Sequence, residues 1–275
     1  MADSLSGKVA LVTGAGRGIS RAIARKLSAH GAAVVVNDLD EGPARETVAE
    51  LRSGGGRALA FPGSVTAPDF GERFTQAALA EFGGIDIIIN NAGYTWDNVI
   101  QKMQDEQWSA MLDVHATAPF RILRAALPHM RKAIERETAE NRRVMRKVVN
   151  ITSVSAVFGN AGQAGYAAGK SAVIGLTKAL AKEWGRYNIN VNCVGFGLIQ
   201  TRLTQPLTDQ DARIEVEGRQ IAVGVQPRAL EAVKVLCPLG RAGTPEEAAG
   251  AVYFFASPDS DYVSGQVLVV NGGTA

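Results

Sequence analysis

A chain of 275 residues, 46% hydrophobic and 20% charged, is long and apolar enough for one large globular domain with a substantial core. A net charge of +2 gives no electrostatic case for a nucleic-acid or anionic-membrane partner. Two cysteines, Cys193 and Cys237, make neither a disulfide framework nor a metal-ligand set, and no apolar run approaches the ~20 residues of a membrane span, so a soluble cytoplasmic protein without a metal is expected.

The first strand-like run, Lys8–Thr13, starts too early to leave room for a signal peptide. It runs into the glycine turn Gly14-Ala15-Gly16-Arg17-Gly18, after which Ile19, Ile23 and Leu27 recur at helical spacing until Gly31. Ala33–Asp38 is a second buried strand. Strand, glycine turn, helix and strand within ~30 residues form the βαβ unit that binds dinucleotides. Its glycines let the backbone approach a pyrophosphate, which meets the N–H groups and positive dipole end of the helix. Asp38, 24 positions after Gly14, ends the second strand. A carboxylate there can accept both hydroxyls of an adenosine ribose and repels a 2′-phosphate. Arg17 works the other way, since it can pair with that phosphate. The carboxylate stands where the ribose edge should lie, so NAD is favoured, with NADP the alternative. The bland reading of Asp38 is a solvated strand end.

A helix from Pro43 to about Arg52, the strand Arg57–Phe61 and a helix over 70–82 lead to Ile85-Asp-Ile-Ile-Ile-Asn-Asn-Ala-Gly93. The β-branched part suits a central parallel strand. Its Asn90–Gly93 end puts small and amide residues where doubly wound sheets bind ligands. Trp108, Met111, Leu112, Phe120 and Leu123 read as the core stripe of one following helix. Residues 131–147 carry seven basic and three acidic side chains. They read as a solvated helix end with a loop, or alternatively as a docking patch for an acidic partner or a phosphate-bearing carrier.

Val148–Thr152 is the fifth strand and delivers Ser153 from its C-terminal end. The next helix, running to about Tyr187, carries Tyr166 and Lys170 on one face at a spacing of four. A free tyrosine has a pKa near ~10. A nearby ammonium favours the phenolate, so such a pair can move a proton at an alcohol oxygen. Ser153 can donate a hydrogen bond to the same oxygen. Alone, the tyrosine–lysine spacing is more often surface decoration of a helix. The sixth strand, Ile189–Val194, enters Gly195–Thr201. Residues 202–238 are polar and irregular, as a lid over a substrate pocket would be. Thr244 and Pro245 open a last helix, and Gln266–Val270 is the closing strand.

Together these segments resemble the short-chain dehydrogenase/reductase family over essentially the whole chain, with 3-oxoacyl carrier-protein reductases and 3-hydroxyacyl-CoA dehydrogenases nearest in character. The resemblance implies a single-domain α/β Rossmann fold over 1–275, a seven-stranded parallel sheet with helices on both faces, and a homotetramer. It implies Tyr166 as the acid/base, Lys170 as the residue that lowers its pKa and holds the nicotinamide ribose, and Ser153 as the carbonyl-polarising group. Gly14, Arg17, Gly18 and Ile19 at the turn, together with Asp38, Ser64, Val65, Asn91, Ala92 and Gly93, would hold the cofactor, and Ile199 and Thr201 its carboxamide. The substrate would be a small-molecule ketone or alcohol, an acyl thioester first, with a sugar or steroid-like ketone as the rival.

Four positions depart from the family pattern. Ser20 replaces the third glycine and would crowd the helix against the strand. Ser64 stands where an aspartate usually contacts the adenine amino group. Phe196 replaces a proline and would loosen the nicotinamide loop. His115 stands where an asparagine usually holds a water in the proton relay to Lys170. An imidazole titrating near ~6.5 can hold that water or can merely pack at a helix kink. The departures also leave open a nucleotide-binding homologue without catalysis.

Overall fold

The computed structural model describes residues 4–204, 213–222, 224, 231–232 and 235–274. Strands β1 (Val9–Val12), β2 (Ala33–Asp38), β4 (Ile87–Asn90), β5 (Arg146–Ser153) and β6 (Ile189–Phe196) are buried at every position. Parallel strands covered on both faces require such runs, and the aliphatic sequence supplies them. With β3 (Ala58–Pro62) and β9 (Val267–Val270) they form one parallel seven-stranded sheet in the order β3-β2-β1-β4-β5-β6-β9, as expected. Ala10 lies beside both Val34 and Ile87. The strand order therefore reverses at β1, where doubly wound sheets open a ligand crevice at their carboxyl ends.

Alternate residues face opposite layers. Ala10 and Val12 pack with Ile23 and Leu27 of α1 (Gly18–Ala29) and with Val252 and Phe255 of α8 (Pro245–Ala256). Val9 and Leu11 pack on the other face with Phe70 and Phe74 of α3 (Phe70–Phe82) and Leu123 of α5 (Ala118–Ala139). Helix α2 (Glu41–Ser53) precedes β3. Thr244 caps α8 by a reciprocal pair of bonds with Glu247. Among the described residues no helix is long and apolar enough to cross a membrane.

Three expectations change. The helix expected through Trp108 and Leu123 is two helices, α4 (Asp105–Leu112) and α5, separated by a π-helical turn at Asp113–Thr117. That turn shifts the face by an extra residue. Met111 and Leu123 are therefore core, whereas Trp108 and Phe120 are 39% and 45% exposed. The basic stretch at 131–147 is not one surface. Arg146 and Lys147 begin β5 and are buried, Arg146 against Glu137 and Lys147 against Asp261, Asn190 and Ser260. Inside the expected lid, residues 213–222 are a regular antiparallel hairpin, β7 (Arg213–Val216) and β8 (Arg219–Ala222), outside the main sheet. Residues 205–212, 223, 225–230 and 233–234 of that lid lie outside the described residues.

Candidate active site

The turn after β1 is shaped by backbone that only glycine adopts without strain: Gly14 and Gly18 have φ of 67° and 55°. A side chain at Gly14 would place its Cβ 3.0 Å from the Ala92 Cα, and one at Gly16 would collide with the Asp38 carboxylate. Thr13 Oγ accepts the N–H groups of Asn91 and Ala92 at 3.0 Å each, stitching the turn after β1 to the one after β4. Helix α1 starts without a side-chain cap, so its first N–H groups face the crevice. This open glycine cradle at a helix N-terminus fits a dinucleotide pyrophosphate. Ser20 is fully buried in α1 with its hydroxyl unpartnered.

Asp38 is 8% exposed. One carboxylate oxygen accepts Gly16 N–H at 3.0 Å and the other accepts Asp40 N–H at 3.1 Å. Arg17 donates to Asp40 at 2.7 Å and stands 3.7 Å from Asp38. Its charge is thus engaged by two carboxylates, the second of which the sequence reading did not single out. Beyond β3, Ser64 and Thr66 both hydrogen-bond Glu217 of the hairpin turn. Val65 beside them is buried.

Ser153 ends β5 and caps the short helix α6 (Val154–Phe158), its Oγ accepting Ser155 N–H at 3.2 Å. Tyr166 lies in the first turn of α7 (Ala164–Trp184) and lines the same cleft as Ser153. Lys170, one turn on, is 5% exposed and donates to the Ile151 carbonyl at 2.9 Å. Its Nζ is 5.9 Å from the Tyr166 ring centroid. Burial pushes the Lys170 amine down to about 8. The sequence expectation was that Lys170 lowers the Tyr166 pKa. In this structure burial dominates and raises the phenol, with the nearby Ser153 hydroxyl pulling back and the Asp97 charge adding to the rise.

His115 sits on the π-helical turn. Its Nε2 donates to the Tyr94 carbonyl at 2.8 Å, which leaves Nδ1 a buried acceptor without a partner. Burial, and then the Lys170 charge, hold its pKa well below the ordinary value. The expectation of an imidazole titrating near ~6.5 is therefore corrected: the ring is neutral. Nothing larger than hydrogen fits at Gly93, where a Cβ would meet this ring at 2.2 Å.

Phe196 does not loosen its loop. It is buried at the end of β6 opposite Val270, and Gly197 N–H bonds the Val270 carbonyl at 3.0 Å. Ile199 is buried, and a Cβ at Gly18 would lie 3.6 Å from Thr201, which brings this loop over the glycine turn. Every expected catalytic and cofactor-binding residue, from Gly14 to Thr201, lines one cleft of about 610 Å³ at the carboxyl ends of the strands, whereas Ser20 is buried away from it. Sequence reasoning missed Asp97 and Gln163, which bond at 2.7 Å beside Ser155, and also Glu217. No spacing rule marks these, since they meet only in the fold.

Comparison with known proteins follows the same lines. The family described as enoyl-(acyl carrier protein) reductase matches residues 14–275. The 3-oxoacyl-(acyl-carrier-protein) reductase FabG of Vibrio cholerae is 39% identical over 271 residues, 98% of each chain. Nodulation protein G of a Rhizobium species is 38% identical over 271 residues, again 98% of each chain. A solved structure of 7α-hydroxysteroid dehydrogenase, complexed with NADH and 7-oxo glycochenodeoxycholic acid, superposes with a TM-score of 0.84. It is 28% identical, over 98% of this chain and 95% of that one.

Proposed function

Because the chain belongs to the short-chain dehydrogenase/reductase family and is an NAD(P)-dependent oxidoreductase, we propose that it interconverts 3-oxoacyl and 3-hydroxyacyl thioesters with NAD as the preferred cofactor. The observation that carries the reading is that buried Ser153 and Lys170 and half-buried Tyr166 line the same cleft as the Gly14–Gly18 turn and Asp38. The thioester is supported by full-length similarity to reductases named for that substrate. NAD is supported by the Asp38–Arg17–Asp40 arrangement, in which Arg17 is already held by two carboxylates where a 2′-phosphate would have to compete.

A bound nicotinamide dinucleotide supplies or accepts the hydride. The chain's residues do the rest. Gly14, Gly18 and the first N–H groups of α1 hold the pyrophosphate, and Asp38 accepts the ribose hydroxyls. Arg17, Ile19, Ser64, Val65, Asn91, Ala92 and Gly93 line the adenosine side, and Ile199 and Thr201 hold the carboxamide. Ser153 donates to the substrate oxygen, Tyr166 gives or takes its proton, and Lys170 holds the nicotinamide ribose while its charge favours the phenolate at the moment of transfer. His115, as a neutral acceptor through Nδ1, receives a hydrogen bond from a relay water.

The domain is one unit, with the segment 202–238 as its substrate lid. Exposed Trp108 and Phe120 on α4 and α5, and exposed Phe254 and Leu268 on α8 and β9, support a homotetramer built on two such faces. Free thiols at Cys193 and Cys237 support a cytoplasmic setting. A steroid-like ketone is a second reading, favoured by the ligand of the 7α-hydroxysteroid dehydrogenase structure.

Titration with NADH and NADPH, followed by turnover on acetoacetyl-CoA, tests the proposal. Tighter NADH binding with acetoacetyl-CoA reduction is expected. Steroid ketone turnover without acetoacetyl-CoA turnover selects the second reading. Tight NADH binding with no oxidation across a ketone panel removes catalysis altogether.

A further inference from the structure

The hairpin β7–β8 crosses the cleft and ends in a two-residue turn, Glu217–Gly218, with φ of 51° and 80°. A turn with both central residues at positive φ favours Asn-Gly or Gly-Gly, and a glutamate in its first position is conformationally costly. Glu217 is exposed, but its carboxylate is tied to neighbouring side chains. Its Oε1 accepts the hydroxyls of Ser64 and of Thr66, the latter at 2.8 Å, while Arg219 stands 3.4 Å from Oε2. The far side of the hairpin is anchored too: Arg219 donates to Glu106 of α4 at 2.8 Å and lies 5.5 Å from the Trp96 ring centroid. Val216 and Ile221 are buried beneath it. Glu217 thus lines the same cleft as Asp38 and Val65, at the position where Ser64 lacks a carboxylate.

We infer that Glu217 is the adenine-reading residue of this chain: the hairpin delivers the carboxylate that accepts the adenine 6-amino group, with Ser64 and Thr66 as its anchors. The inference rests on the dinucleotide reading. A carboxylate has about four acceptor sites, and the two hydroxyls and Arg219 leave one on Oε2 for the amine. Because the hairpin also holds Glu106 and Trp96, recognition of the base and coverage of the cleft become one event.

The test compares dissociation constants, by fluorescence titration, for NADH and for its hypoxanthine analogue, which carries an oxygen in place of the 6-amino group. Wild-type chain is expected to favour NADH by about tenfold, the size of one hydrogen bond to a charged group. Glu217→Ala is expected to bring that ratio to about one. Glu217→Gln, whose amide can turn either face to the base, should also lose the preference while keeping more of the affinity. Ser64→Asp in the Glu217→Ala background is expected to restore it. An unchanged ratio in Glu217→Ala overturns the inference. So does tighter NADH binding by that variant, since Glu217 would then be a plug rather than a contact. Wild-type chain that binds neither NADH nor NADPH would bring down the dinucleotide reading itself, and this inference with it.

Discussion

The rings of His115 and Tyr166 meet edge to face, their centroids 5.0 Å apart and their planes at 87°. Such a contact fixes the Tyr166 ring while the His115 Nε2–H holds the Tyr94 carbonyl. The imidazole is buried and kept neutral, so the folded state binds fewer protons than the unfolded chain below the ordinary histidine pKa near ~6.5. Stability from this group is therefore complete above that pH and is lost as pH falls below it, by at most about 1.4 kcal/mol per pH unit. His115→Asn keeps a donor for Tyr94 but loses the ring contact. We expect a shallower loss of stability in acid, measured by denaturant unfolding at pH 5 and 7, and a reduced kcat with an altered pH profile. Unchanged turnover and an unchanged profile would remove His115 from the relay.

Lys170 and Tyr166 should separate binding from proton transfer. Burial lowers the Lys170 amine to about 8, so below that pH the folded state carries a buried charge at a cost that is relieved as pH rises from about 8 towards the unfolded value. Lys170→Met is expected to be inactive yet more stable at pH 7, by on the order of 1–3 kcal/mol after losing its bond to the Ile151 carbonyl. Tyr166→Phe is expected to lose turnover by roughly 10²–10⁴-fold while retaining NADH binding. The pH dependence of NADH dissociation should show an ionisation near 8 that survives Tyr166→Phe and vanishes in Lys170→Met. Full activity in Tyr166→Phe would refute the assignment of the acid/base.

Much of this architecture is legible in the chain because it is written locally. Aliphatic runs such as Ile87–Ile89 give buried parallel strands, and the glycines before Ile19 give a turn that opens a helix. What escaped depends on longer-range geometry. The π-helical turn at Asp113–Thr117 has no periodic signature, and it moves Trp108 and Phe120 off the core stripe. Charge counting over 131–147 could not distinguish a surface arginine from Arg146, whose partner Glu137 sits on the preceding helix. The contacts of Asp40 with Arg17, and of Glu217 with Ser64, join residues that neither spacing nor period connects.

The Arg146–Glu137 pair makes that last distinction measurable. Arg146 donates to both Glu137 carboxylate oxygens, at 2.7 and 2.9 Å, and its side chain is 3% exposed. Burial pushes the Glu137 carboxyl up, but the bonds from Arg146 outweigh it and the net shift is downward. Its contribution to stability is therefore present above the ordinary carboxylate range and is lost as pH falls through the lowered value. Glu137→Ala leaves a buried guanidinium with Asp86, 3.8 Å away, and the Ile85 carbonyl at 3.2 Å, and should cost about 3–5 kcal/mol by urea unfolding. The double variant Glu137→Leu/Arg146→Met should recover most of that loss. A cost below about 1 kcal/mol for Glu137→Ala would mean that the pair behaves like an exposed one.

The proposed choice of NAD over NADP is tested at Asp38. Its carboxylate is oriented by Gly16 and Asp40 N–H groups and lies 3.7 Å from Arg17, which also pairs with Asp40. A 2′-phosphate would meet the Asp38 charge and would have to draw Arg17 away from Asp40, so both effects act against NADP. Asp38→Ala removes the repulsion and one of the two partners of Arg17. The ratio of kcat/KM for NADPH over NADH should rise by about tenfold or more, or ~1.4 kcal/mol. Asp40→Ala leaves the repulsion in place and only frees Arg17, so its effect should have the same sign and be smaller. Arg17→Ala in the Asp38→Ala background should reverse the gain, because the phosphate then loses the guanidinium that would pair with it. If Asp38→Ala leaves the ratio where it was, the carboxylate does not discriminate between the two cofactors.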